Sequence, residues 1–431
     1  MYPFGEGREN WDASRFLYYG LSALQGRGEA CTSVAILTED GLRVETTDGS
    51  VERLFERDVA KGFLGIGQVS PIQGDSIVSI DDPIELVLAG DGKPLLHADK
   101  RESFRIFAQR LSESISNSKS TNDHIGAVSA LLNETGGGFS FLALTKDQEV
   151  FCARDRMGVK PLEVGSIGFD MGILSSETGA LDVVGASHTG SVKPGEVVFL
   201  DPFSISRKML KTSRIAHCAF EYVYLARLDS LMENRSINDV RERIGEVIAD
   251  ESPPIDVQEA VVIGVPETAI PFAISYSRRK NIPMRMGFVR TGRHTRTALK
   301  TNQFERVAGV QLKLNPIKSS IRGKETILID DSVVRGNTLK NTVLNLKRKG
   351  ATKVHVRVGS PALIAGCPYG VEVPPRDELI GRNVSEEEIA DIIGADSFAY
   401  ISTEGLSRAI GIPGEKLCMG CFTGKYPEKI E

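Results

Sequence analysis

Glu325-Thr-Ile-Leu-Ile-Asp-Asp-Ser-Val-Val-Arg-Gly-Asn-Thr338 is the stretch whose reading decides the fold of this chain. An apolar, β-branched run reaches two adjacent carboxylates, Asp330 and Asp331, and then a loop of small residues that opens a helix-forming run at Thr338. In a parallel sheet, ligands sit at the carboxyl ends of the strands, which is where this loop falls. Carboxylates there can accept hydrogen bonds from ribose hydroxyls. The backbone N–H groups of Ser332, Val333, Val334, Arg335, Gly336, Asn337 and Thr338, with the helix N-terminus behind them, suit a phosphate. Asp-Asp after a strand would by itself equally suit a metal site. With the following residues in register, the stretch reads as a site for 5-phosphoribosyl diphosphate (PRPP).

Working outward, 431 residues are enough for two or more domains with their own cores. The net charge of −5 comes from both signs mixed along the chain, without the basic stripe that nucleic acid requires. The first ten residues, Met-Tyr-Pro-Phe-Gly-Glu-Gly-Arg-Glu-Asn, hold no apolar core of signal-peptide length, and no apolar run approaches membrane-spanning length. A cytoplasmic protein is expected. Six cysteines in a reducing compartment point to metal, catalysis or burial more than to disulfides.

Short strand-like runs dominate up to residue 205: 33–38, 63–69, 138–145, 149–154 and 196–200, interrupted by helical spacing over 16–24 and 104–117. This predicts a layered α+β domain over 1–205. From residue 206 to 431 strands and helices alternate: helix 238–249, strand 260–265, helix 268–279, strand 284–289, helix 338–349 and strand 353–358. That order predicts right-handed βαβ units on a parallel sheet. Between them, Arg290-Thr-Gly-Arg-His-Thr-Arg-Thr reads as a loop that closes over ligand. Arg290, Arg293 and Arg296 suit a diphosphate, because guanidinium forks bind phosphate oxygens in pairs.

The ribose-phosphate stretch resembles the signature of type I phosphoribosyltransferases. Taken with Cys218-Ala-Phe-Glu-Tyr-Val-Tyr-Leu-Ala-Arg227, Gly264-Val-Pro-Glu267-Thr268 and Cys418-Met-Gly-Cys421-Phe-Thr-Gly-Lys-Tyr-Pro427, the chain resembles the glutamine PRPP amidotransferase (amidophosphoribosyltransferase) family of purine synthesis over nearly its whole length. The resemblance implies an Ntn-hydrolase-like αββα domain followed by a type I phosphoribosyltransferase domain. It also implies Mg²⁺ carried with PRPP at Asp330 and Asp331, and displacement of diphosphate at the anomeric carbon by ammonia. Asp330, Asp331, Lys318 and Arg296 are the catalytic candidates on that reading, and Gly264 and Glu267 belong to a diphosphate-binding turn. Lys318 stands where the family often has arginine, so it would act as a point charge. A homo-oligomer is also implied.

One branch of the family carries a [4Fe-4S] cluster, and this chain has a cysteine at each matching place: Cys218, Cys367, Cys418 and Cys421. Thiolates suit zinc as well as iron–sulfur, and the spacing leaves both open. Cys31 and Cys152 lie in apolar strand-like runs and read as core residues.

The family's glutaminase half uses an N-terminal cysteine; Met1 aligns there, and a thioether is no nucleophile. Leu21-Ser-Ala-Leu24-Gln25-Gly-Arg27-Gly28-Glu29 and Asp155-Arg-Met-Gly158-Val-Lys-Pro161 retain the framework of that fold. The strand whose arginine would hold the glutamine carboxylate reads Gly67-Gln68-Val69-Ser70-Pro71. The segment that would supply the oxyanion hole reads Gly90-Asp91-Gly92, and Asn122 stands for the acidic anchor of the substrate amine. The expectation is therefore a PRPP-binding transferase without glutamine hydrolysis of its own. Its nitrogen would be ammonia from solution or from a separate glutaminase, or another amine. The alternative is a PRPP-sensing regulator or a silent scaffold partner of an active homologue.

Overall fold

The computed structural model describes residues 1–5, 7–118, 121–212, 214–251, 259–289 and 314–430, with 121 and 122 described as backbone only. In its first half, two β-layers face each other between helices. One layer is an antiparallel sheet ordered Ser204–Met209, Glu196–Asp201, Val150–Arg154, Gly137–Thr145, Leu86–Pro94, Val78–Ile80. Period-two alternation explains why it is covered on both sides. Phe139, Phe141 and Ala143 face the helices Lys100–Ser116 and Thr121–Glu134, together with Phe151, Ala153, Val197 and Phe199. Their alternates Leu144, Val150, Cys152, Val198 and Leu200 face the second layer, where Ala35, Leu37 and Ile66 meet them.

The second layer is built from Cys31–Thr38 between Gly41–Thr47 and Leu64–Ser70, and from the neighbouring group Tyr2–Pro3, Met171–Ser175, Glu163–Ile167 and Ser187–Ser191. Helix Ala13–Leu24 begins at Asp12, whose carboxylate caps the Ser14 N–H, and lays Leu17 and Leu21 on Val34 and Ile36. The result is the expected αββα sandwich. Cys152 is fully buried between its sheets, and burial pushes its thiol up to about 12.

The second half carries the expected parallel sheet, ordered Ala260–Gly264, Glu325–Asp330, Lys353–Val358, Ser397–Tyr400. Val262, Ile327 and Ile329 pack on Val240, Ile244 and Phe272 of the helices Ile237–Glu251 and Ile270–Lys280. On the opposite face, Val261, Ile263, Leu328 and Val354 meet Leu339 and Val343 of Asn337–Arg348 and Ile389 of Glu386–Ile393.

The strand expected over 284–289 is a correction. Met284 makes only an isolated parallel bridge to Val262, and Phe288–Val289 pairs instead with Asn315–Pro316. The chain passes so close to Ile263 that a Cβ on Gly287 would lie 2.0 Å from its side chain, and Pro283 cannot donate to a ladder. Among the described residues, no helix is long and apolar enough to cross a membrane.

Candidate functional site

Strand Glu325–Asp330 lies inside the parallel sheet with its apolar residues buried, and this fixes where the carboxylates emerge. Asp330 accepts the Asp331 N–H at 3.0 Å, and Asp331 accepts the Ser332 hydroxyl at 2.8 Å. Burial is the main cause that raises both carboxyls; Asp331 adds repulsion on Asp330, while Ser332, Arg241 and Thr268 pull Asp331 partly back. Two half-buried neighbouring carboxylates resist ionising together. Val333 is turned into the core, so its backbone alone faces the loop, and Arg335 is exposed and paired with Glu378. Gly336, at φ 74°, makes the left-handed turn into helix Asn337–Arg348 and brings no side-chain cap. The N–H groups of the first turn therefore keep their capacity for an anion.

The turn after Ala260–Gly264 lies alongside. Gly264 is in register with Ile329, and the Val265 N–H bonds the Ile329 carbonyl at 2.9 Å. A Cβ on Gly264 would come within 2.8 Å of the Ala269 carbonyl, so glycine is what lets the next helix pack this closely. Glu267 is exposed at the tip of the turn, and Thr268 lies near enough to Asp331 to favour its ionised form. Lys318 is exposed at the head of the one-turn helix Lys318–Ile321. Arg290, Arg293 and Arg296 lie outside the described residues. The structure thus brings together the carboxylates, residues 332–338 and the Gly264 turn.

A second site sits between the halves. A cavity of about 280 Å³ is lined by Arg27, Gln68, Gly90, Asp91, Ser140 and Lys160 from the first half and by Phe220, Tyr224, Leu225 and Gly370 from the second. Ser70, which stands where the carboxylate-binding arginine is expected, is buried, donates its hydroxyl to Asp75 at 2.6 Å and accepts the Ile72 N–H at 3.2 Å, while Gln68 is occupied by the Gly90 N–H at 3.0 Å and the Asp75 carbonyl at 3.2 Å. Arg27 reaches Asp91 at 2.6 Å, Glu177 at 2.8 Å and Glu221 at 2.9 Å, and Lys160 reaches Glu221 at 2.8 Å and Asp91 at 3.4 Å. Burial would raise Asp91 and Glu221, but Arg27 and Lys160 outweigh it and hold both below the usual carboxylate range. The side chain of Asn122 lies outside the described residues.

From sequence alone Arg27 and Lys160 read as framework of the first half and Glu221 as part of the 218–227 segment; their convergence was missed, along with Glu177 and Arg241. The available signal was charge inside otherwise buried runs: Glu221 is followed by Tyr-Val-Tyr-Leu, and Lys160 is flanked by Val159 and Pro161.

Cys218, Cys367, Cys418 and Cys421 all line one further small cavity, with Lys160, Tyr369 and Tyr426. Cys218 and Cys418 are register partners on a short parallel ladder, and the Ile364 and Ala365 N–H groups both bond the Cys421 carbonyl. Burial raises all four thiols, Cys418 to about 12. Among the described residues, no set of three or more His, Cys, Asp or Glu side chains is arranged to hold a metal ion.

With this geometry in hand, comparisons with known proteins are direct. Residues 229–362 match the phosphoribosyl transferase domain model. The amidophosphoribosyltransferase of Methanothermobacter thermautotrophicus is 35% identical over 96% of this chain and 91% of its own, and that of Mycobacterium bovis is 34% identical over 99% and 86%. Among solved structures, the glutamine phosphoribosylpyrophosphate amidotransferase from B. subtilis complexed with ADP and GMP superposes with a TM-score of 0.84 at 30% identity, covering 98% of this chain and 96% of that one. Relatives this similar, matched from end to end across both halves, place the chain in the amidophosphoribosyltransferase family.

Proposed function

We propose that this chain transfers the phosphoribosyl group of PRPP to ammonia or another small amine, releasing diphosphate, and does not hydrolyse glutamine. The observation that carries the transferase half is the pair Asp330 and Asp331 at the end of a central parallel strand, followed by an uncapped helix N-terminus. On this reading the ribose hydroxyls donate to the two carboxylates, and the 5-phosphate sits on the N–H groups of residues 332–338. The Gly264–Thr268 turn and Lys318 face the diphosphate, and Arg290, Arg293 and Arg296, outside the described residues, are assigned to its oxygens by their chemistry alone. The carboxylates fit a site that receives positive charge, because a cationic ring centre developing beside them favours the ionised form that desolvation and their mutual repulsion disfavour. Mg²⁺, carried with the diphosphate, would neutralise the leaving group.

The loss of glutaminase chemistry rests on Ser70 and Asp91, and holds whatever stands at residue 1. An oxyanion hole needs donors aimed at developing negative charge. Here Asp91 brings an anion that is already paired, and Ser70, in the place of the anchoring arginine, is a short buried hydroxyl already bonded to Asp75. We assign residues 1–205 to this silent sandwich and 206–431 to the transferase; the strand Ser204–Met209 crosses that line and completes the first sheet.

The four cysteines suit a [4Fe-4S] cluster, with zinc as the alternative. They contribute four thiols around one cavity whose lining contains no carboxylate, with Lys160 near enough to balance an anionic centre. Bound, such a group would cross-link distant segments of the second half. Iron and acid-labile sulfide analysis of anaerobically purified protein, with zinc measured alongside, decides between them.

The test of the function is diphosphate release from Mg-PRPP with ammonium or glutamine as the nitrogen source. Release with ammonium alone is expected. Release with glutamine overturns the silent half, and Mg-PRPP binding without release for any amine favours a sensor. No binding at all leaves the scaffold reading.

A further inference from the structure

We infer that residues 378–380 position the phosphate-binding loop from behind, and that the Ile380 N–H is the group that aims it. This rests on the reading of residues 332–338 as the seat of the 5-phosphate.

Three contacts of different kinds join this segment to the loop. The Ile380 N–H donates to the Val334 carbonyl at 3.0 Å, the Arg335 guanidinium pairs with the Glu378 carboxylate, and a Cβ built on Gly336 would lie 3.0 Å from Cδ1 of Ile380. The segment is itself anchored. Leu379 is fully buried, and a Cβ on Gly381 would come 3.0 Å from the Ala362 side chain and 3.1 Å from the Tyr400 hydroxyl. Just upstream, the rings of Pro374 and Pro375 fix φ and stiffen the approach.

The hydrogen bond decides the direction of the loop. A trans peptide is planar, so its C=O and N–H point opposite ways. With the Val334 carbonyl held towards Ile380, the Arg335 N–H is turned away from the backing segment, to the side where a phosphate oxygen can accept it. Gly336, at φ 74°, is the most permissive residue of the loop, and the Ile380 side chain packed against it limits where the chain can swing. The Ile380 N–H is available for this because it opens the short helix Ile380–Asn383, where the first N–H groups have no partner within the helix. The Arg335–Glu378 pair is 53% and 41% exposed and adds little energy, but it draws the Arg335 side chain to the back of the loop.

The experiment measures the affinity of the full chain for Mg-PRPP, ribose 5-phosphate and Mg-diphosphate by calorimetry, with far-UV circular dichroism as a folding control. Ile380→Pro removes the N–H where proline is tolerated, because residue 380 opens a helix and Leu379 before it is extended at φ −84°, ψ 106°. Ile380→Ala keeps the N–H and removes the side chain, so the difference between the two variants reports the hydrogen bond. One such bond corresponds to about fivefold in affinity, and Ile380→Pro should bind Mg-PRPP and ribose 5-phosphate weaker than Ile380→Ala by about that factor. Mg-diphosphate, which engages the Gly264 turn, should bind both variants as it binds the parent. If Ile380→Pro does not fold, Ile380→Ala carries the test, with a loss of about threefold confined to the two ligands that bear a 5-phosphate. Equal losses for all three ligands, or Pro and Ala variants that bind alike, overturn the positioning role. A parent that binds Mg-diphosphate but not ribose 5-phosphate overturns the phosphate-loop reading itself.

Discussion

The two charged sites of this molecule have opposite electrostatic habits. In the cavity between the halves, Arg27 and Lys160 meet Asp91, Glu177 and Glu221, and the carboxylates Asp91 and Glu221 are held below their ordinary range. At the end of Glu325–Asp330, two carboxylates are crowded together, raised, and only partly answered by Arg241. The difference teaches how to tell a site that awaits a ligand from one that has closed on itself. Unrelieved charge is costly and persists where a ligand relieves it. Charge paired within the protein leaves a ligand little to gain.

The most direct way to break this comparison is to unpair the clamp. Arg27→Met leaves Lys160 alone with three carboxylates, of which Glu177 is 1% and Glu221 0% exposed. Removing one partner of a buried ion network costs about 3–5 kcal/mol. Chemical denaturation should show a loss of that order. An unchanged midpoint would mean that the network is solvated and that the contrast between the sites is false.

Next in size is the loss of ligand at the loop. Asp330→Asn removes a charged acceptor, and hydrogen bonds to charged groups contribute about 1.5–3 kcal/mol, roughly 10- to 150-fold in affinity. Mg-PRPP affinity should fall within that range while the unliganded protein folds normally. Unchanged affinity would move the ribose away from this pair.

The pH dependence sharpens the comparison because the two sites carry opposite signs. Asp330 and Asp331 are raised in the folded state, so between the ordinary carboxylate value near 4 and their raised values the native state holds protons that the unfolded chain has released. Their contribution to stability therefore falls as pH rises through that window. Asp91 and Glu221 are lowered, so their contribution is present above the ordinary value and is lost only as pH falls through the depressed one. A double variant Asp330→Asn/Asp331→Asn should melt above the parent at pH 8, by roughly 1.4 kcal/mol per pKa unit of relieved shift. The gap should close towards pH 5. A gap that widens on acidification contradicts the assigned sign.

How much of this could be read in the sequence follows the reach of each interaction. The strand–loop–helix of residues 325–348 was legible because strand, carboxylates, Gly336 and helix are contiguous, and each local preference agrees with the fold. The αββα layers were legible as a class from strand-like runs. The strand Leu86–Pro94 was not, because Gly90, Asp91, Gly92 and Pro94 interrupt its pattern, and its pairing with Gly137–Thr145 supplies what propensity lacks. The 284–289 strand failed for the opposite reason, since apolar residues suggested a ladder that the passage of Gly287 over Ile263 cuts short. The clamp was illegible in principle: the partners of Arg27 lie 64, 150 and 194 residues away.

The smallest expected effect is the most discriminating for the proposed loss of glutaminase chemistry in the first half. Asp91→Asn restores the amide type that an oxyanion hole would use, yet it removes only one of three carboxylates facing two cations. Asp91 is also the most exposed of the three, at 24%. The remaining pairs balance, so the stability change should stay within about 1 kcal/mol, as for pairs reached by solvent. Glutamine-dependent diphosphate release should remain absent, because Ser70 still fills the place of the carboxylate-anchoring arginine and the amide at 91 would face Arg27 and Lys160 instead of a substrate. Measurable glutaminase activity in this single variant would mean that one residue, and not the closure of the whole pocket by ion pairing, keeps that half silent.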